Sequence, residues 1–280
     1  MGVRQNQATL TAPQKASFVA AVKALKANGM YDMMVREHRA AILSIRPDPA
    51  HLGPAFFPWH RECLRRFELA LQSVDATVTL PYWDWTRDRS ATSSLWAADF
   101  MGGNGRSSDR RVTTGPFAYS TGTWTLTVND TARTPPYLRR AFGVSDPALP
   151  SSTRVNQALA TVPYDVSPWN FNTNPGQSFR KYTETNVHDL VHRWVGGTMM
   201  EGSSPNDPVF WLHHCNLDRL WGIWQKRNPT RTYRPPTGGP AGHNIDDPMW
   251  PWAGEPNPPT PRKMLDHTAL GYTYDDEAAW

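Results

Sequence analysis

A chain of 280 residues with 39% hydrophobic and 19% charged content buries a sizeable core and is not intrinsically disordered. Its net charge of +4 comes from scattered basic residues, with no run that would form a nucleic-acid-binding arm. No window approaches 18 uninterrupted apolar residues, which excludes a membrane-spanning helix, and the start MGVRQNQATL lacks an apolar h-region.

The first helix is announced by Thr11-Ala12-Pro13-Gln14, a capping box with Pro in the first turn. Phe18, Val19, Val22 and Leu25 follow at helical spacing, and Asn28-Gly29 supplies a stop. A second helix is predicted around Tyr31 to Ser44. Residues 46–58, with four prolines and a glycine, read as a loop, and Trp59 to Val74 as a third helix with Leu64, Phe67, Leu69 and Leu71 inward. Residues 97–176 are rich in Gly, Ser, Thr, Pro and Asn and read as long loops, with one alternating stretch, Thr123 to Val128, written as a strand. Helices are predicted again over 180–195 and 208–227. The segment 229–261 carries ten prolines, so it is neither helix nor central strand, and its Trp250 and Trp252 call for packing on the body. With no repeat and no linker, the expectation is one domain, 1–280. The high count of thirteen Trp predicts a rigid aromatic core whose indole N–H groups need partners. The two cysteines, Cys63 and Cys215, sit in apolar helical runs and are expected as reduced, buried thiols.

Nine histidines are unevenly placed. His38, His51 and His60 fall within one short span; His188, His192, His213 and His214 fall within another. His188 and His192, four apart on a helix, present both imidazoles on one face. Asp189 follows the first, where a zinc protease needs Glu as its base. Sets of neutral imidazoles with an open position suit copper, and two facing cuprous ions can share dioxygen. The flanking Phe56, Phe57, Trp59, Phe210, Trp211 and Trp221 would keep such a site dry.

The stretches FFPWHRE, LPYWDW, HDLVHRWVGG and SPNDPVFWLHHCNLDRLW together resemble the type-3 copper proteins, most closely the small bacterial tyrosinases of actinomycetes, from the first helix to about residue 225. The resemblance implies a mainly α fold, a four-helix bundle around two copper ions, which oxidises phenols, catechols or related aromatics with O2 to o-quinones or quinone-imines. It implies that His38, His51 and His60 hold one copper and His188, His192 and His214 the other, with His213 beside them as pocket wall. Asp218, one turn after His214, is expected to accept that ring's other N–H, and Asp207 to cap the last helix. Phe210, Arg193 and Glu201 are expected at the pocket or its mouth, and Arg39, Arg61 and Arg193 as surface or salt-bridge residues.

Two departures bear on the reaction. Relatives that hydroxylate monophenols commonly carry Asn where Asp189 stands, working with an upstream Glu to hold a water that deprotonates the phenol. Glu184 is the nearby candidate here, but only four residues before His188. The expectation is a bias toward o-aminophenols and o-diphenols with weak or absent monophenol hydroxylation, Asp189 serving as base; a full tyrosinase is the alternative, and an O2 carrier or a zinc site are further readings. Actinomycete relatives commonly use a small copper-loading partner protein. The N-terminus fits a cytoplasmic enzyme, or export with such a partner.

Overall fold

The structure is a computed structural model that describes residues 1–172 and 174–280. It is mainly helical. Helix α1 (Ala12–Ala27) begins at Thr11, whose side chain accepts from the Gln14 amide while Gln14 returns a bond to the Thr11 backbone, and it ends at Asn28 before Gly29 at φ +83°. Helix α2 spans Met30–Leu43 and α3 Phe56–Val74. Helix α3 starts three residues before the Trp59 expected from sequence. Pro58 falls in its first turn, where the missing N–H costs no helical bond. Leu64, Phe67 and Leu71 of α3 are buried, but Leu69 lies off that face and is 50% exposed.

A short helix, α4 (Ser152–Ala160), stands in the region read as loops; Ser151 caps it by accepting from Arg154 N. Residues Trp124, Leu126 and Val128 alternate inward as the sequence pattern requires. They run extended without forming a strand, since among the described residues no ladder partner lies beside them; Leu126 N bonds Pro136 O. The sheet that does form is two parallel three-residue strands, β1 (Gly2–Arg4) and β2 (Tyr272–Tyr274), which closes the two ends of the chain together. Helices α5 (Phe179–Thr183) and α6 (Asp189–Val195) are joined by one π-turn, Glu184–His188, and α7 covers Val209–Arg227.

Helix α7 is buried almost throughout its first four turns and packs along α3. One hydrophobic cluster runs through both and takes in α1, α2 and α4. The aromatic core is pinned as its indole groups demand: Trp59 donates to Trp250 O, Trp83 to Asp88 O, Trp211 to Tyr31 Oη and Trp224 to Thr161 O. The proline-rich segment lies against α3, with Trp252 stacked on Trp59 at 5.4 Å. Cys63 and Cys215 are buried free thiols. Among the described residues no helix is long and apolar enough to cross a membrane.

Candidate metal centre

Seven histidines converge between α2, α3, the α5–α6 pair and α7. His38 comes from α2, His60 from the first turns of α3, and His51 from the loop between them. The nitrogens of these three lie within 4.8 Å of one another, and those of His188, His192, His213 and His214 form a second such group. The two groups face each other: the His60 and His214 rings stack at 4.3 Å and 13°, and Phe210 fills the angle between His38 and His214, with ring centroids 4.9 and 4.1 Å away.

Five rings are oriented through Nδ1. His38 donates to Gly202 O at 2.8 Å, His60 to Phe56 O at 2.8 Å, His192 to Met199 O at 2.5 Å, His188 to Asp189 Oδ1 at 2.8 Å and His51 to Asp48 Oδ1 at 3.3 Å. A neutral imidazole that donates from Nδ1 carries its lone pair on Nε2. The Nε2 atoms of His38, His60, His188 and His192 are buried without a partner, and so are both nitrogens of His214. Orphaned buried acceptors are rare unless something absent completes them, and a dry set of imidazole lone pairs fits copper. Burial holds His38, His60 and His214 well below the ordinary histidine value, and burial together with the neighbouring His188 brings His192 to about 3, so these rings are neutral and free to ligate.

His213 is built differently. The Trp85 indole donates to its Nδ1 at 3.1 Å, which places the proton on Nε2 and leaves no lone pair facing the cluster. Its ring stacks on His188 at 5.3 Å.

Sequence reasoning missed what holds His51. The Asp48 carboxylate accepts the Ala50 and His51 amides at 2.8 and 2.9 Å, an Asx-type turn that Asp-Pro-Ala-His signals in retrospect. His243, left without a role in the sequence, bridges from the proline-rich segment: it accepts from Ala55 N and donates to Asp48 O at 3.0 Å. Gly53 is needed there because a Cβ would come within 2.7 Å of the His243 ring.

Two expectations are corrected. Asp218 does not reach His214. Its carboxylate is taken by Arg4, Arg61, Tyr272 and Tyr274, four buried donors that hold it ionised against its burial. Arg61, expected at the surface or in a salt bridge, is in a salt bridge with Asp218, fully buried in that network and stacked on Trp221. Removing Asp218 leaves the buried Arg61 guanidinium without a carboxylate and Arg4 with Glu68 alone, so Asp218→Ala is expected to destabilise the chain by about 3–5 kcal/mol in denaturant unfolding, far more than Asp276→Ala at the part-buried Arg219 pair. Glu184, the candidate base, lines the cavity but has both oxygens engaged: Oε1 accepts Leu52 N at 2.6 Å and Oε2 accepts Arg180 at 2.8 Å. It ties the π-turn to the His51 loop. Asp207 accepts Val209 N at the start of α7 as expected of a cap, and is also clamped by Arg140 through both oxygens.

A cavity of about 340 Å³ opens onto His38, His51, His188 and His192, with Asp189, Arg193 and Glu201 on its walls. Arg193 leans toward Asp146, Glu201 is paired with Arg139, and Arg39 with Asp130. Burial pushes the Asp189 carboxyl up, but the His188 N–H and the adjacent charges outweigh it and hold it below the ordinary value. One oxygen accepts from His188, and the side chain, 41% exposed, lines the cavity.

Residues 28–227 match the family model "Common central domain of tyrosinase". The chain is 49% identical to a tyrosinase of Streptomyces antibioticus, over 98% of this chain and all of that one. It is 41% identical to grixazone synthase of Streptomyces griseus, over 98% and 99%. A polyphenol oxidase structure from Thermothelomyces thermophila superposes with a TM-score of 0.72 at 24% identity, covering 98% of this chain and 88% of that one, a likeness of fold. With its two opposed imidazole sets, the chain belongs to the tyrosinase family of type-3 copper proteins and is a copper-dependent phenol oxidase that uses two copper ions.

Proposed function

We propose that His38, His51 and His60 hold one copper and His188, His192 and His214 the other, and that the enzyme favours o-aminophenols and o-diphenols over monophenols. The observation that carries the substrate reading is Asp189, an ionised carboxylate at the cavity beside His188. The coppers supply the redox chemistry: one O2 takes four electrons from two substrates, giving two quinones or quinone-imines and two waters. The chain's own groups position and deprotonate. Asp189 uses one oxygen to hold the His188 tautomer and the other to accept a hydroxyl proton from the incoming ring. A carboxylate only accepts hydrogen bonds, whereas an amide at this position would also donate one to a water. Glu184 is anchored by one hydrogen bond to each oxygen, from Leu52 N and from Arg180, which fixes it on the cavity wall. Copper delivery by a small partner protein belongs to the same reading.

The second reading, a full tyrosinase, is favoured by the 49% identity to a protein of that name. A substrate panel on copper-loaded enzyme separates them. The first expects 2-aminophenol and catechol to turn over about 100-fold faster than tyrosine is hydroxylated; rapid, lag-free tyrosine hydroxylation removes it. Asp189→Asn is expected to raise tyrosine hydroxylation by about tenfold relative to catechol oxidation, and no gain would show that position 189 is not the control point.

A further inference from the structure

A second cavity, of about 360 Å³, shares Ile42, Asp48, His51 and Leu52 with the histidine-facing one and continues away from it. Trp169, Phe171, Pro240 and His243 line this extension. Its walls are mostly apolar, and its size suits a small ligand.

Three features set it apart from the rest of the surface. Phe171 is 61% exposed, and Trp169 lies outside the hydrophobic core cluster. Among the described residues neither ring packs against another aromatic, a state shared only by Tyr182 and Trp250 among the Phe, Trp and Tyr rings, most of which interlock in stacked and edge-on pairs. Leu52 and Trp169 hold left-handed backbone at φ +58° and +60°, costly for residues with a Cβ. Leu52 is kept so by Glu184 on its amide and Trp169 by a bond from its N–H to Val166 O. Leu52, 47% exposed, forms the sill between the two cavities.

We propose that the groove is an aryl subsite. While the reacting ring of the substrate lies in the histidine-facing cavity, a second, unreactive ring passes over Leu52 and packs between Trp169 and Phe171. The substrate class is then a two-ring phenol, o-aminophenol or catechol with a short linker. Continuity with the site identifies the occupant: a molecule bound by its reacting ring places any extension on this side of His51 directly into the groove. The inference rests on the functional reading above for its reacting end only.

The test uses Phe171→Ala and Trp169→Leu, neither of which touches the histidine centre. With copper-loaded enzyme and 4-(2-phenylethyl)catechol, KM rises about tenfold in each variant with kcat within about twofold, while plain catechol keeps its KM within about twofold. With metal-free protein, calorimetric titration of 4-(2-phenylethyl)phenol gives an affinity about tenfold weaker in the variants than in the unaltered chain. Unchanged KM and affinity for the two-ring probes, or an equal loss for catechol, overturns the proposal. Failure of the unaltered enzyme to oxidise catechol or 2-aminophenol would count against the functional reading, and the metal-free titration still decides the subsite.

Discussion

His214→Ala lowers the copper content from two ions per chain to about one and reduces catechol turnover by about a thousandfold or more, whereas His213→Phe keeps both ions. The adjacent rings look equivalent in sequence, and both are fully buried. Their surroundings separate them. Both nitrogens of His214 lack a protein partner, and its ring faces His60 across the gap between the two sets. A buried imidazole left so without a metal would carry the full cost of two unmet groups. His213 is committed through Nδ1 to the Trp85 indole, so its inward nitrogen carries a proton. Removing one of three nitrogen donors leaves a copper with two, too few to hold it against dialysis, and loss of either ion ends the four-electron chemistry that both must share. Metal analysis after exhaustive dialysis reads the first effect and an oxygen-consumption assay the second. Loss of copper from His213→Phe with retention in His214→Ala would reverse the assignment. Trp85→Phe is an independent check: it frees the His213 tautomer without removing any imidazole, and the copper content is expected to stay at two.

The parts of this architecture that were legible in sequence are those fixed by local chemistry. The Thr11 box, the Asn28-Gly29 stop and the apolar spacing of α1 need no tertiary partner to be read, and they hold to the residue. The imidazoles were legible because a residue type that is rare and chemically specific clusters twice. What was not legible depends on distant pairing. Thr123–Val128 has a strand's alternation, but a strand exists only if another lies beside it, and the backbone that meets it belongs to a turn near Pro136. Asp218 has the right spacing from His214 to accept that ring's N–H, yet Arg4, Tyr272 and Tyr274 arrive from the two ends of the chain to claim it. His243 is likewise unreadable, since its partners Asp48 and Ala55 lie almost 200 residues earlier and only the fold of the proline-rich segment brings them together. The π-turn at Glu184–His188 falls in the short stretch between Glu184 and the first histidine of the second set. A widened turn there swings Glu184 toward Leu52 rather than toward the reacting centre, which the linear spacing alone does not convey.

The same buried imidazoles make the metal-free protein acid-labile. Burial depresses His38, His60, His192, His213 and His214 from the ordinary value of 6.5, to about 3 for His192. Unfolding returns each ring to water, where it titrates normally. Below pH 6.5 the unfolded chain therefore binds protons that the folded chain refuses, and stability falls as pH falls. Above pH 6.5 these groups are neutral in both states and contribute no slope. The loss begins at the unfolded value and continues until the folded value is reached, so for His192 it spans from 6.5 down to about 3. Each such ring removes about 1.4 kcal/mol per pH unit over its window. All five are depressed in the same direction, so their losses reinforce one another as the pH falls below 6.5. Metal-free protein is expected to melt cooperatively at pH 7.5 and to be largely unfolded near pH 5. Copper-loaded protein is expected to resist to lower pH, because protons must compete with the metal for the same lone pairs. Thermal melts of both forms between pH 7.5 and 5 read the difference directly. A melting temperature of the metal-free protein that stays level across this range would show that the rings are hydrated or charged in the folded state, and with that the dry, lone-pair-lined centre on which copper binding depends would be lost.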